Sequence, residues 1–311
     1  MALKGWFIGM QDTVSPMITD MVVNVVNMLV SYVLAVHTPM GALGVALGTV
    51  VAQFTGLSLA IILLLCKYRD VFRGLSIWQL ARDMQGMRSL ITLNANLFVR
   101  SLCFMVVYVG FTSLSSMYGD TDLAVCSILM KLFMLVSYFV DGFAYAGEAL
   151  VGKYIGEAKS NPISDSPSGR PISNSPSGAS EISSLVRLLF LWSLGVGAVF
   201  TVLFALSYMP MYRMMTSDSE VLARLTDFVG WLIAMPIVST LAFMWDGVFT
   251  GATAGKHIRN AMIWAAIGFV VGYVATYHFL GTHALFVGYF LHLAARVIYL
   301  TATWRPLNTK L

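Results

Sequence analysis

A few ionisable side chains lie inside long apolar stretches of this sequence. A charge at the centre of a bilayer costs at least about 2.5 kcal/mol, so such residues are functional candidates. Arg100 keeps its proton and therefore needs water, a carboxylate or backbone carbonyls around it, and a protein carboxylate is favoured over a substrate. Lys131 differs because a lysine can release its proton, which makes it a candidate proton carrier.

Two acids each begin an Asp–Gly pair near the end of an apolar run, in "DGFAYAG" and "DGVFTG". These acids are Asp141 and Asp246, and the glycines near them, including Gly142 and Gly251, predict close approach between helices. We expect a structural and gating function for this set. Glu148 is expected at the solvated interface.

Lys131 has two further interpretations. It can extend toward the outer interface, or it can pair with an acid on another helix. Asp141 follows ten residues later, nearly three helical turns away, so a pair within one helix is out of reach. The set predicted for a cavity or for coupling is Asn96, Arg100, Lys131, Tyr138 and Asp141.

The elements that must position these residues are transmembrane helices. The chain has 311 residues, 58% of them hydrophobic and 11% charged, with a mean hydropathy of +0.78. That composition predicts an all-α membrane protein, because it leaves too little polar surface for a soluble globule. Runs of about 20 apolar residues predict eight spans: 17–36, 41–66, 89–116, 123–147, 185–209, 221–245, 260–280 and 283–304.

The net charge of +4 is explained by orientation rather than by a nucleic-acid partner. Lysines and arginines gather in alternate connections, and the opposite connections hold only Arg213, with Arg224 just inside the next span. By the positive-inside rule, both termini are expected on the cytoplasmic side of the inner (plasma) membrane.

Signals of enzymatic or metal chemistry are missing from the sequence. The five histidines lack metal-ligand spacing, and neither a phosphate-binding loop nor a nucleophile motif is present. The three cysteines suit apolar filling. We therefore expect neither an enzyme nor a resident cofactor or metal.

Two connections stand out. Residues 70–88 form an amphipathic pattern that predicts an interfacial helix on the cytoplasmic surface. Residues 160–180 contain the tandem repeat "ISDSPSGRP" and "ISNSPSGAS", which predicts a disordered loop because it has no apolar anchor.

A longer repeat links the two ends of the chain. "GWFIGMQDTVSPM" begins at Gly5, and "GVFTGATAGKHIRNAM" begins 242 residues later at Gly247, with two apolar spans after each. Internal repeats of this kind are typical of secondary transporters. If the repeat is genuine, about four helices that would precede residue 5 are missing from this chain.

Several stretches resemble the multidrug and toxic compound extrusion (MATE) transporters, in particular their DinF-like branch. The resemblance covers nearly the whole chain except the serine-rich loop. The matching stretches are "GMQDTVSPM", "NANLFVRS", "DGFAYAGEALVGKYIG", "DGVFTGATAGKHIRNAM" and "GTHAL". The first of them contains Gly9 and Pro16, which we add to the structural and gating set.

The resemblance implies twelve helices in two six-helix lobes. Residues 1–69 then supply a partial N-lobe with two spans, and residues 89–311 supply a six-helix C-lobe. It also implies a cation site in the N-lobe, whose matching positions here are Asn27, Ser31 and Thr49. Ser31 stands where the family has an acid, and the alternative is that these side chains hydrogen-bond neighbouring helices.

The function implied is efflux of small organic cations across the lipid bilayer in exchange for Na⁺ or H⁺. One alternative is a truncated, non-transporting fragment, or one that depends on a separately encoded N-terminal segment. Another is translocation of a lipid or a lipid-linked sugar, which would call for several basic residues in the cavity.

Overall fold

A computed structural model describes residues 2–69, 84–160 and 176–308, and in these ranges the chain forms helices and no strands. Eight of the helices are long and apolar enough to cross a bilayer. The predicted class, an all-α membrane protein with eight spans, is confirmed.

The chain divides into two compact units, residues 1–88 and 89–311. The first unit contains α1 (Ala2–Gly9), α2 (Val14–Val36) and α3 (Ala42–Lys67). The remaining helices are α4 (Met84–Ser115), α5 (Asp120–Ser160), α6 (Pro176–Met215), α7 (Ser219–Thr226), α8 (Val229–Gly251), α9 (Gly255–Leu280) and α10 (His283–Asn308). A short 3₁₀ turn, Ser116–Tyr118, follows α4.

Helices α2 and α3 form a closely packed hairpin. The buried face of α3 carries a small residue at every fourth position: Gly44, Gly48, Ala52, Gly56 and Ala60. A Cβ atom added at Gly44 would lie 2.8 Å from the Leu34 backbone. Small residues let two membrane helices come this close, and dispersion contacts then hold them together.

Asp12 ties the turn between α1 and α2 to the end of α3. Its buried carboxylate accepts hydrogen bonds from the Ser15 hydroxyl (2.6 Å), the Lys67 ammonium group (2.7 Å) and the Tyr68 hydroxyl (3.3 Å). Burial by itself would raise the pKa of Asp12, but the hydrogen bonds from Lys67 and Ser15 outweigh it and lower the pKa to about 2.

We expect Asp12→Asn to destabilise the chain by about 2 kcal/mol at pH 7, because charge-assisted hydrogen bonds are lost. The folded-state pKa lies below the ordinary value of 3.8, so this stabilisation is complete above about pH 4 and disappears as the pH falls toward 2. Thermal unfolding in detergent, measured for both proteins between pH 7 and pH 2, tests this. A gap between their midpoints that stays constant with pH would contradict it, and Tyr68→Phe provides a milder control.

The second unit is built around α8. This helix packs against α5, α6 and α10 and is buried on nearly all sides. One apolar cluster gathers around Phe111, Phe133 and Phe286, and another around Trp245 and Trp304.

Polar residues of α10 lie along the same buried face as these clusters. His292 and Arg296 are almost completely buried, and Arg296 falls between Leu293 of the first cluster and Leu300 of the second. The core of this unit therefore contains charge.

Three predicted boundaries need correction. The sixth span runs over Val229–Gly251 rather than 221–245, because Asp218 caps a separate short helix, α7, by accepting from the backbone N–H groups of Glu220 (2.8 Å) and Val221 (3.4 Å). Asp227 consequently lies between two helices.

The serine-rich loop was predicted over 160–180, but Ser160 ends α5, and residues 176–180 are helical. Pro176 stands at the first position of α6, where a proline costs no backbone hydrogen bond. The rest of that loop lies outside the described residues. So does most of the predicted interfacial helix, although residues 84–88 belong to the start of α4.

Candidate functional site: a charged cavity in the second unit

A cavity of about 340 Å³ opens among α4, α5, α8, α9 and α10. Its apolar lining includes Phe104, Phe243 and Met262. Its charged lining consists of two arginines and three acids: Arg100, Arg296, Asp141, Glu148 and Asp246. Five ionisable residues from four helices, α4, α5, α8 and α10, thus meet at one site.

Asp246 is the anchor of the cavity. Its Oδ2 atom accepts a 2.6 Å hydrogen bond from Arg100 and a second hydrogen bond from Arg296. Arg296 is 2% exposed, and its guanidinium group also lies 5.4 Å above the Phe243 ring. Asp246 is therefore the carboxylate partner that Arg100 required, and it neutralises a second, deeply buried cation.

Asp141 and Glu148 are the uncommitted acids of the cavity. They lie seven residues apart on α5, which places them on one helical face, and both are partly buried. Within the described residues, neither carboxylate has a hydrogen-bond or ion-pair partner. Such a carboxylate can hold a proton or a cation, since the two guanidinium groups nearby are bound to Asp246.

Glycines of α8 bring these groups together. A Cβ atom at Gly247 would lie 2.2 Å from the Ala144 carbonyl oxygen, and one at Gly251 would lie 2.4 Å from the Glu148 carbonyl oxygen. Gly251 thus lies where α8 and α5 approach closely. Gly142, for which close approach was also expected, is exposed, and an added Cβ there would meet no atom within 4 Å.

Three of the predicted cavity residues lie elsewhere. Asn96 is buried and is held by Arg259, whose guanidinium donates to its side-chain oxygen at 2.9 Å. Lys131 and Tyr138 lie on an exposed face of α5 and do not line the cavity. Apolar side chains lie on both the buried and the exposed faces of α5, as Phe133 and Phe139 show, so hydropathy alone did not distinguish these faces.

The three N-lobe candidates do come together in the first unit. Ser31 donates to Asn27 at 2.8 Å, and both Ser31 (3.4 Å) and Thr49 (3.1 Å) donate to the Val45 carbonyl oxygen. Hydrogen bonds within the hairpin thus engage these groups, and none of them is an acid. Of the structural candidates, Gly9 ends α1 and Pro16 lies buried in the first turn of α2.

Two cavity residues were not selected from the sequence. Glu148 was expected in solvent, yet its spacing of seven from Asp141 is a same-face signal. Arg296 shares the face of α10 on which Phe286, Tyr289 and Leu293 are buried, and this three-to-four spacing could have identified it.

The second unit is thus a helical unit with spans of bilayer length and a cavity of paired and unpaired charges. Two curated proteins are similar to the chain over nearly its whole length. The chain is 30% identical over 306 residues to DNA damage-inducible protein F of Escherichia coli (strain K12), covering 98% of this chain and 62% of that protein. It is 22% identical over 311 residues to Protein DETOXIFICATION 44, chloroplastic, of Arabidopsis thaliana, covering 98% of this chain and 53% of that protein.

Solved structures show the same fold. A crystal structure of a MATE protein in the straight conformation matches with a TM-score of 0.83 at 14% identity, covering 99% of this chain and 66% of that one. The Vibrio cholerae MATE transporter VcmN, a mutant form, matches with a TM-score of 0.78 at 17% identity, covering 98% and 64%. No protein-family model matches the chain.

The chain belongs to the MATE family and is a DinF-like member of it. This family consists of transporters rather than enzymes. The chain spans about three fifths of the length of its Escherichia coli relative.

Proposed function

We propose that this chain acts in secondary active efflux, in which an amphipathic organic cation leaves the cytoplasm in exchange for Na⁺ or H⁺. The observation that carries the proposal is the pair Asp141 and Glu148, two carboxylates without a partner among the described residues, in a membrane cavity whose arginines are already bound to Asp246. With all five groups ionised, the cavity has an excess of negative charge. This favours positively charged ligands over anions.

Coupling follows if a substrate cation and the driving cation compete for the same two carboxylates. Binding of one then lowers the affinity for the other, which is the thermodynamic requirement for exchange. The distribution of basic residues supports an inner (plasma) membrane location with both termini in the cytoplasm. The helices expected before residue 5 stay a prediction.

The alternative of lipid-linked sugar transport has less support. A phosphate group would need free cations, whereas both guanidinium groups of the cavity are held by Asp246. Lys131 is exposed on another face of α5. It remains a candidate for coupling in its own right.

The test is dye efflux from proteoliposomes or cells that contain the chain, driven by an imposed Na⁺ or H⁺ gradient, with ethidium as the organic cation. We expect Asp141→Asn and Glu148→Gln each to slow gradient-driven efflux about tenfold or more, and the double variant to abolish it, because coupling energies of 1–3 kcal/mol are typical. Asp227→Asn, at an exposed acid outside the cavity, is the matched control and should retain efflux. Gradient-driven efflux that survives in the double variant would refute the proposed site.

A further inference from the structure

The repeat predicted from the sequence has a counterpart in backbone geometry. Gln11 and Thr253 are the two non-glycine residues with positive φ in the described part of the chain, at 59° and 53°, and they lie 242 residues apart. This left-handed conformation is uncommon for side chains of this kind. Its appearance twice at the spacing of the repeat argues for common ancestry.

Hydrogen bonds at the two turns match as well. In the first turn, the backbone N–H groups of Met10, Gln11 and Asp12 donate to the carbonyl oxygens of Trp6 (3.0 Å), Ile8 (2.9 Å) and Phe7 (2.8 Å). In the second turn, 242 residues later, those of Ala252, Thr253 and Ala254 donate to the carbonyl oxygens of Val248 (3.0 Å), Thr250 (2.9 Å) and Phe249 (2.9 Å). The alignment of α1 and α2 with the end of α8 and α9 is therefore fixed residue by residue.

A second pair of turns extends the alignment to α3 and α10. Gly41 and Gly281 precede these helices with φ angles of 48° and 53°, which sets an offset of 240 residues. Gly48 and Gly288 then correspond, and each lies where a Cβ atom would collide with the preceding helix. The two offsets differ by two residues because the segment from Gln11 to Gly41 is two residues longer than the segment from Thr253 to Gly281.

These offsets relate the charged cavity to a cavity in the first unit. The latter has a volume of about 480 Å³ and is lined by residues of α1, α2 and α3. Three of its lining positions correspond to lining positions of the charged cavity: Lys4 to Asp246, Asp20 to Met262, and Gly56 to Arg296. The two cavities thus overlap in part when the two copies of the repeat are aligned.

The charges at equivalent positions are rearranged. Where the second unit has Asp246, the first has the cation Lys4, which forms an ion pair with Asp20. The Lys4 and Asp20 side chains are 40% and 48% exposed, whereas those of Arg296 and Asp246 are 2% and 9% exposed. An exposed pair contributes at most about 1 kcal/mol, so its partners can be exchanged, unlike those of the buried pair.

We propose that Lys4 and Asp20 form a second cation-exchange site, in which a proton or a sodium ion bound to the Asp20 carboxylate replaces the Lys4 ammonium group. The exchange breaks no covalent bond: Lys4 keeps its proton and turns to solvent while the incoming cation neutralises Asp20. The Thr19 hydroxyl and the Gln53 amide also line this cavity and supply the oxygen ligands that a hard cation prefers.

Among the described acids of this unit, Asp20 is the one best suited to such exchange. Asp12 is occupied by Lys67, Ser15 and Tyr68, and Asn27, Ser31 and Thr49 carry no carboxylate. The function of this site in transport rests on the proposed efflux function, but its cation binding can be measured without transport.

Trp6, two residues after Lys4 on α1, is a local reporter. The purified chain in detergent is labelled with 5-fluorotryptophan, and the ¹⁹F resonance of Trp6 is assigned with Trp6→Phe. The labelled protein is titrated with NaCl, with N-methylglucamine chloride keeping the ionic strength constant, and in a separate experiment the pH is varied. The position of the Trp6 resonance is recorded in both titrations. We expect a saturable shift with Na⁺, with protons or with both.

Variants separate exchange from a structural contact. Lys4→Met removes the competing cation and should lower the midpoint of the titration about two- to fivefold. Asp20→Asn should abolish the response. Lys67→Met, which removes the lysine of the Lys67–Asp12 pair, should leave the midpoint unchanged.

The proposal is overturned if the Trp6 resonance of the parent chain responds to neither cation. It is also overturned if Lys4→Met and Asp20→Asn lower thermal stability equally and leave the same titration midpoint. Cation binding here without any dye efflux would retain this site and reject the proposed function. Dye efflux without a response of the Trp6 resonance would retain the proposed function and reject this site.

Discussion

Asp246→Asn is expected to lower the free energy of unfolding by about 3–5 kcal/mol, the largest stability change among the cavity residues. The substitution removes the carboxylate that is hydrogen-bonded to the Arg296 guanidinium, which is 2% exposed. Removing one partner of a buried ion pair has an effect of this size because the remaining charge is buried without its direct counter-ion. Arg100 loses its partner at the same time, but its side chain is 33% exposed and can be hydrated.

Thermal and denaturant unfolding in detergent measure this effect. The double variant Asp246→Leu/Arg296→Leu is the informative control, because replacing both members of a buried pair by apolar residues is often neutral or stabilising. We expect it to recover most of the lost stability while remaining inactive in efflux. Equal stability of Asp246→Asn and the parent chain would show that Arg296 is not held as described.

Gly247→Ala is expected to destabilise the second unit by about 3 kcal/mol, at the upper end of the range for overpacking. The new methyl group would lie 2.2 Å from the Ala144 carbonyl oxygen and 2.7 Å from its Cα atom. Because these are backbone atoms, a change of side-chain rotamer cannot relieve the collision. Helices α5 and α8 would have to separate, and Asp246 would move away from Asp141 and Glu148.

Gly142→Ala is the matched control, since it also replaces the glycine of an Asp–Gly pair. Nothing lies within 4 Å of the added Cβ atom, so the variant should be as stable as the parent chain or up to about 1 kcal/mol more stable through helix propensity. Unfolding midpoints in detergent compare the two variants. Equal losses in both would mean that glycine flexibility, rather than the close approach of α8 to α5, explains the effect.

The elements of this fold were largely predictable, and the charged cavity was predictable in part. Apolar runs of bilayer length located eight spans, because a helix in lipid must satisfy its backbone internally and shield it with apolar side chains. The break before α8 was missed because the apolar members of residues 221–228 were counted as part of the run despite Arg224 and Asp227, and because the Asp218 cap acts only through local geometry.

Within the site, Arg100, Asp141 and Asp246 were selected because charge is rare in such helices. Glu148 was expected in solvent but lines the cavity, and Lys131 was expected in the cavity but lies on an exposed face of α5. Hydropathy did not separate these faces, because large apolar side chains lie on both of them. The requirement that Arg100 have a carboxylate followed from its fixed charge. The identity of that carboxylate, 146 residues away, did not.

By itself, the sequence determined the membrane class, the helices, the repeat and the scarcity of internal charge, because all of these depend on local composition and spacing. Only the tertiary structure decided that Asp246 binds two arginines, and that Asp141 and Glu148 have no partner in the described parts of the chain. It also decided that Lys4, at the position equivalent to Asp246, pairs with Asp20. Pairing between charges on different helices depends on which faces meet, and small residues such as Gly247 and Gly48 set those contacts across distances that no local pattern records.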